Sequence, residues 1–463
     1  MKTDAVKTDV IVVGGGPAGI ITALTAKSIY PEKSVRLIKE IGDGVIPCSI
    51  PYMIRTMSDP AENVVGNLPL QNAGVDITEG KVVSFDTEAR EVRLESGEEL
   101  FYERLVLATG AKPIVPPIPG IDKEGVFLVK KSLSAAIALR EKVLKAKSVV
   151  ILGGGFIGAE FADELSHIDG LDVHLVEVLP KLLQAAFDEE FCDDVGDVLA
   201  KAGVNIHTGK RLDAINGKDH VESVTIGGGE EIPADVVIVG IGAKPSNELA
   251  KEAGLRIESN GSIWVDSYMR TSINDVFAVG DCAVKRDFFT RKKTPIMLAS
   301  NATTEARIAG TNLYGIRVLR QIHGTISAFS TKIGGVSFAS AGMTCGACER
   351  EGFRIVSATS LSPDRHPGTL PGASMLKLKL VFADRTGNLL GGQISGGDSV
   401  GELVNVVALA IEKNVNVREM DMMQIATHPL LTSAPTVHPI IDVAHKVLAE
   451  LRTKSNEMSA PKG

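Results

Sequence analysis

One sulfur has an unusual setting: Cys48, in the stretch "GVIPCSIPYMI" from Gly44 to Ile54, stands between Pro47 and Pro51. A thiolate is the nucleophile among sulfur groups. Acting alone it can attack a disulfide or polysulfide, keeping one half as a mixed disulfide or persulfide and releasing the other as a thiolate. The competing reading is an inert thiol packed as a small apolar residue. A second pair, Cys345 and Cys348 in "GMTCGACEREGF", has C-x-x-C spacing at the start of a predicted helix capped by Thr344. The helix dipole there is expected to lower the thiol pKa, giving a second redox relay or a disulfide switch; the alternative is two thiols of no consequence. Zinc needs four ligands and no second pair lies nearby, so no metal is expected. Cys192, in an acidic helical stretch, and Cys282 read as structural.

The elements that would position such chemistry are two glycine turns. The apolar, β-branched run Thr8 to Val13 leads into "GGGPAG" and then a helical pattern, which is G-x-G-x-x-G between strand and helix. Gly14 permits the tight turn, Gly16 lets a pyrophosphate approach the backbone, and Gly19 lets helix and strand pack closely. The helix start then offers its free N–H groups to the phosphates. A second strand, "SVRLIKE", ends at Glu40, spaced to accept hydrogen bonds from a ribose. The pattern recurs in "SVVILGGGFIGAEFADEL" with Gly153, Gly155 and Gly158, and "LDVHLVE" ends at Glu177. A carboxylate there binds the ribose hydroxyls of NADH and repels the extra phosphate of NADPH, so NADH is expected and NADPH is the lesser expectation, with Lys181 the contrary sign. "YERLVLATGAKP" reads as a strand entering a turn at Ala108 to Gly110, and "TSINDVFAVGDCA" as one entering a turn at Gly280 and Asp281.

Composition agrees with this. The 463 residues exceed one hydrophobic core and should form two to four domains. With 44% hydrophobic and 23% charged residues the chain reads as globular. Its formal charge of -8 offers no general attraction to nucleic acid or anionic lipid. No window reaches the roughly 18 uninterrupted apolar residues of a membrane span. Five scattered cysteines make no disulfide framework, so a reducing, cytoplasmic setting is expected.

These motifs together resemble the pyridine nucleotide-disulfide oxidoreductases, and the resemblance runs along nearly the whole chain: "GGGPAG", "LVLATGAKP", "VILGGGFIGAE", "VFAVGDCA" and a C-terminal segment of interface-domain size. It implies an α/β fold of two Rossmann-like dinucleotide-binding domains plus a C-terminal α+β dimerisation domain. The implied FAD domain is discontinuous, residues 1–115 and 246–325, with an NAD domain at 116–245 and an interface domain at 326–463. FAD would lie at Gly14, Gly16, Pro17, Ala18 and Gly19, with Glu40, Val82, Thr109, Gly110 and Asp281, the last on the ribitol chain. NADH would lie at Gly153, Gly155, Gly158 and Glu177, and Glu160 near nicotinamide and flavin. A homodimer is implied, because relatives complete each active site with residues of the partner.

Dithiol relatives carry C-x-x-x-x-C, which would put a second cysteine at Met53; "PCSIPYM" is instead similar to the "PCGIPY" element of the single-cysteine branch. That branch includes coenzyme A disulfide reductases, NADH-dependent sulfur and persulfide reductases, and NADH oxidases and peroxidases. The implied activity is NADH-dependent reduction of a small disulfide, persulfide or polysulfide through Cys48, whose pKa the flavin and a helix start would lower. Departures narrow this. Peroxidase and oxidase relatives place a histidine inside or beside the first glycine turn, where this chain has Pro17-Ala18, so a simple peroxidase is disfavoured. Coenzyme A disulfide reductases use C-terminal tyrosines, and no tyrosine follows Tyr314. "TALTAKSIYPEK" supplies chiefly Lys27 for coenzyme A phosphates. His428-Pro429 resembles the His-Pro of dithiol relatives and is the candidate acid/base, although Ser433 stands where its orienting glutamate would be. His438 is a weaker candidate, and His366 reads as a solvated loop residue. The alternatives are an NADH oxidase passing flavin electrons to oxygen, and an electron-transfer reductase serving a partner protein.

Overall fold

The computed structural model describes residues 6–40, 42–317, 319 and 323–459. Its first sheet is built on Val6–Val13, whose residues Val10 to Val12 are fully buried. Apolar β-branched runs of this kind suit a strand covered on both faces. Val35–Lys39 and Glu99–Leu107 flank it in parallel, and Asp76–Glu79 lies outside Val35–Lys39. Far along the chain, Val276–Ala278 returns to pair in parallel with Glu99–Leu107. Register matters here: Val13 sits beside Ile38 and Leu107, and Leu107 beside Ala278. The strands therefore end level, and the turns that follow them open on one edge, where open α/β sheets bind ligands. A hairpin, Val82–Asp86 with Glu91–Leu94, extends the sheet antiparallel to Glu99–Leu107.

The second sheet is all parallel, in the order Asn205–Thr208, Asp172–Glu177, Ser148–Leu152, Val236–Val239, Val126–Leu128. Ala111–Pro113 and Ala243–Pro245 pair antiparallel where the chain passes between the two sheets. The third sheet is antiparallel: Phe329–Ile333, Val336–Gly342, Leu389–Gly396, Met375–Ala383 and Ile355–Pro363. The helices Val400–Glu412 and Pro439–Ser459 pack on it through Val404, Val407, Ile440 and Val443. The fold is thus the expected α/β arrangement with a C-terminal α+β unit. Among the described residues no helix is long and apolar enough to cross a membrane.

Candidate active site

At the level edge of the first sheet, three turns converge. Gly14 has φ +123°, and a Cβ on it would stand 2.1 Å from the Ala108 carbonyl oxygen. A Cβ on Gly19 would lie 1.8 Å from the Gly14 carbonyl oxygen, so both glycines are required by packing. Gly16 differs: a Cβ there meets nothing within 4 Å, and the residue opens the helix Pro17–Ile29 with Pro17 in its first turn. Thr109 Oγ1 donates to the Ser246 carbonyl, and Gly110 takes φ +68°. Gly280, at φ +75°, packs against Ala18, which a Cβ on Gly280 would approach to 2.8 Å. Asp281 is thereby brought beside the first glycine turn. Glu40 is exposed just past Val35–Lys39. Val82 is buried at the start of its hairpin strand, next to the Gly80 N–H that donates to the Lys39 carbonyl.

Three residues near Asp281 carry no motif. Lys131 Nζ lies 3.2 Å from its carboxylate. Beneath the turn, Lys285 and Glu305 form a buried pair at 3.0 Å, with side chains only 6% and 2% exposed. Lys285 donates to the Gly280 and Ala283 carbonyls at 2.6 and 3.0 Å, and Glu305 accepts the Gly280 N–H at 2.8 Å.

The second glycine turn repeats the first. Gly153 has φ +107°, a Cβ on Gly158 would lie 1.7 Å from the Gly153 carbonyl oxygen, and Gly155 again has open space before it at the head of the helix Phe156–Ser166. The Glu177 carboxylate accepts the Gly154 N–H at 2.5 Å and the Leu179 N–H at 2.7 Å, which fixes it at the strand end. Lys181 is drawn away to Asp193 at 2.6 Å and Glu189 at 3.6 Å, so its charge is engaged on the helix Glu189–Lys201.

Cys48 is exposed, within a one-turn 3₁₀ helix Pro47–Ser49 rather than at the head of an α-helix. A second such turn, Pro51–Met53, follows at once. Asn63 Nδ2 donates to the Ile46 carbonyl and to the Met53 sulfur, at 3.2 and 3.0 Å. Met53 is fully buried, so an apolar thioether occupies the place where dithiol relatives have their second cysteine. The loop then leans on the helix Phe156–Ser166, whose inner face carries Glu160 and Glu164. Burial raises the Glu160 carboxyl from 4.5 to about 7, with Asp163 adding repulsion and the 2.7 Å hydrogen bond from Thr331 Oγ1 opposing it. Burial likewise raises the Tyr52 phenol, with Glu160, Glu164 and Asp163 nearby.

Glu160 makes stability depend on pH. The folded state holds its proton up to about pH 7 while the unfolded chain loses it near 4.5, so stability falls as pH rises across that window, by up to about 3 kcal/mol. Glu160→Gln keeps the acceptor for Thr331 and is expected to flatten that slope. Urea unfolding midpoints between pH 5 and 8 check it; an unchanged slope contradicts the assignment.

The C-terminal candidates fare differently. His428 is exposed, and its Nδ1 accepts the Leu430 N–H at 3.2 Å. No hydrogen bond among the described residues joins it to Cys48 within one chain. Ser433 is buried and donates to the Pro363 carbonyl at 2.7 Å. His366 is not a solvated loop residue: it is half-buried, its Nδ1 lies 2.9 Å from the Thr432 carbonyl, and its N–H donates to the Pro429 carbonyl, which braces the His428 turn. Burial lowers the pKa of His438.

The expectation of lowered thiol pKa values at Cys345 and Cys348 is corrected. Thr344 does cap the helix Cys345–Arg350, accepting the Ala347 N–H. Burial nevertheless raises both thiols, Cys348 to about 12, and at Cys345 the Asp188 carboxylate adds to the effect. Asp188 accepts the N–H groups of Cys345 and Gly346 at 3.2 and 3.3 Å and so occupies the helix end whose dipole would have favoured a thiolate. Cys192 and Cys282 are buried with raised thiol pKa values, as structural residues.

The family model "Pyridine nucleotide-disulphide oxidoreductase" matches residues 8–306, and its dimerisation domain matches residues 328–438. An NADH oxidase of Methanocaldococcus jannaschii is 31% identical over 96% of this chain and 99% of its own. A CoA-dependent NAD(P)H sulfur oxidoreductase of Pyrococcus abyssi is 32% identical over 96% and 99%. Among solved structures, the NAD-dependent persulfide reductase from A. fulgidus superposes with a TM-score of 0.89 at 29% identity, covering 96% of this chain and 84% of that one.

Proposed function

Because this chain belongs to the pyridine nucleotide-disulphide oxidoreductase family, we propose that it uses NADH and FAD to reduce a small disulfide, persulfide or polysulfide through Cys48. The observation that carries the reading is an exposed Cys48 on a loop pinned to the helix of the second glycine turn, with Met53 in place of a second thiol. The accompanying division is an FAD-binding unit of 1–115 and 246–325, an NAD-binding unit of 116–245 and an interface unit of 326–463, supported by the return of Val276–Ala278 to the first sheet.

Both cofactors fit the residues present. Gly16 and Gly155 leave open the space a Cβ would fill, each at a helix start without a side-chain cap, where a diphosphate can reach the N–H groups. FAD would be held by Gly14, Gly16, Pro17, Ala18, Gly19, Glu40, Val82, Thr109, Gly110 and Asp281, and NADH by Gly153, Gly155, Gly158, Glu160 and Glu177. The chemistry that FAD supplies when bound is transfer of an electron pair from NADH to sulfur. The rest falls to the chain. Cys48 Sγ attacks one substrate sulfur; a bond to Cys48 forms, the substrate S–S bond breaks, and the other half leaves as a thiolate. His428 of a second copy, in its imidazolium form, protonates it and is left as the neutral ring. Two electrons then cleave the adduct, restoring the Cys48 thiolate and expelling the second half. The exposed apolar Leu430, Leu431 and Val437 around His428, at 50%, 70% and 48%, support a homodimer meeting there. A reducing, cytoplasmic setting would keep Cys48 as thiol.

A second reading, oxygen as acceptor, is favoured by the relative named NADH oxidase. One assay tests both. With NADH, air and excess polysulfide or small disulfide, the proposal expects sulfide or thiol release to outrun oxygen consumption; the reverse ratio supports the oxidase.

The glycines separate cofactor from packing. Gly16→Val is expected to fold without flavin, since its side chain enters empty space, whereas Gly19→Ala collides with the Gly14 carbonyl and is expected not to fold. Flavin absorbance and circular dichroism of the two variants check this; a yellow Gly16→Val protein contradicts the FAD assignment.

A further inference from the structure

We propose that Glu164 is a positioning residue for Cys48, locking the thiol-bearing loop onto the helix that receives NADH; this rests on the reading of Cys48 above. Both oxygens of the Glu164 carboxylate are committed to one residue: Oε2 accepts the Thr56 N–H at 2.9 Å and Oε1 the Thr56 hydroxyl at 2.7 Å. The side chain belongs to a residue only 6% exposed. Burying a carboxylate is costly, and apolar packing would hold two segments together more cheaply. What a doubly accepting carboxylate adds is direction, since it fixes the Thr56 backbone in distance and in angle.

That fixed point reaches Cys48 through continuous structure. From Ile46 to Met57 the loop is a chain of short turns, with N–H groups of Ser49, Ile50, Met53, Ile54 and Met57 donating to carbonyls of Ile46, Pro47, Ile50, Pro51 and Tyr52. Asn63 grips the other end at the Ile46 carbonyl and the Met53 sulfur. Cys48 is therefore held on a short rod anchored at both ends. The Glu164 end belongs to the helix Phe156–Ser166, whose head is the Gly155 turn, nine residues or about 13 Å away along the axis. On the same face Glu160 takes the hydroxyl of Thr331, from the strand that opens the third sheet. One rigid helix thus sets the thiol loop, the dinucleotide turn and the C-terminal unit in a common frame, and sub-ångström placement of reacting groups is worth large factors in rate.

The test compares Glu164→Ala, Thr56→Val and Thr56→Ser in the flavin-loaded protein, with Cys48→Ser alongside. Thr56→Ser retains both donors and is expected to behave as the parent. Glu164→Ala and Thr56→Val are expected to lower the ratio of disulfide reduction to NADH:ferricyanide turnover by about 10- to 100-fold. Amide exchange across residues 46–57 should quicken by about tenfold in those two variants and not in Thr56→Ser. A parent-like ratio in Glu164→Ala and Thr56→Val overturns the proposal, as does an equal fall in both turnovers, which marks a merely structural role. If Cys48→Ser itself still releases thiol, the reading of Cys48 fails and the positioning role fails with it; if Cys48→Ser is inactive and Glu164→Ala is parent-like, only the positioning role fails.

Discussion

Cys48→Ser is expected to lower NADH-dependent thiol or sulfide release by at least about 10³-fold, equivalent to about 4 kcal/mol of barrier, while NADH:ferricyanide turnover persists. Serine keeps the shape of the exposed 3₁₀ turn and the proline frame around it, so the loop should hold. The chemistry goes because an alcohol is scarcely ionised near neutral pH and forms no bond with sulfur that two electrons can reverse. The comparison also sorts the alternatives. An oxidase would keep consuming oxygen at much of the parent rate, and a reductase serving a partner protein would reduce dye in parent and variant alike with no thiol release in either. Thiol release at even a tenth of the parent rate would remove Cys48 from the mechanism. The half-buried Cys345 and the buried Cys348 would then be the next thiols to examine, although burial holds both pKa values up.

Lys285→Met should have the second largest effect, a loss of about 3–5 kcal/mol together with release of flavin. Methionine fills most of the lysine volume but leaves the Glu305 carboxylate, 2% exposed, without its cation, and frees the Gly280 and Ala283 carbonyls. Burial already raises the Glu305 carboxyl, which Lys285 and the Gly280 N–H pull down, so removing the cation pushes it further up. The turn these groups hold is the one that sets Gly280 against Ala18 and so brings Asp281 beside the first glycine turn. Lys285→Met combined with Glu305→Leu removes both charges and should recover much of the urea midpoint, yet it still lacks the acceptor for Gly280 and should retain flavin poorly. An unchanged midpoint and full flavin in Lys285→Met would show that the pair is dispensable.

The two residues of that pair also show what a sequence can and cannot yield. Gly14, Gly19, Gly153 and Gly158 were legible because each is forced by a backbone approach under 3 Å or a positive φ that only glycine meets, and such constraints recur at fixed spacing. Glu177 was legible because a strand end and a glycine turn fix where its carboxylate must stand. Lys285 and Glu305 stand twenty residues apart with no shared periodicity, and Glu164 and Thr56 are 108 apart; each pair meets only in the assembled fold. Burial was equally hidden. The C-x-x-C spacing announced a capped helix, which is present, but not the Asp188 carboxylate at its head or the apolar pocket of Met343, Val381 and Leu390 around Cys348. Local signals thus gave the helix and the wrong direction for its thiols. His366 was misread for the same reason, since its contact with the Thr432 carbonyl joins loops 66 residues apart.

The central claim, that Cys48 carries one half of the substrate, is tested most directly by trapping. Flavin-loaded protein in its thiol form is mixed anaerobically with one equivalent of an isotopically labelled small disulfide, without NADH, then acid-quenched and digested for mass spectrometry. The account predicts the mass of one labelled half on the peptide bearing Cys48, one equivalent of free thiol, and loss of the label when NADH is then added. Label on Cys345 or Cys348 alone, or turnover with Cys48 unmodified at every quench time, would contradict it.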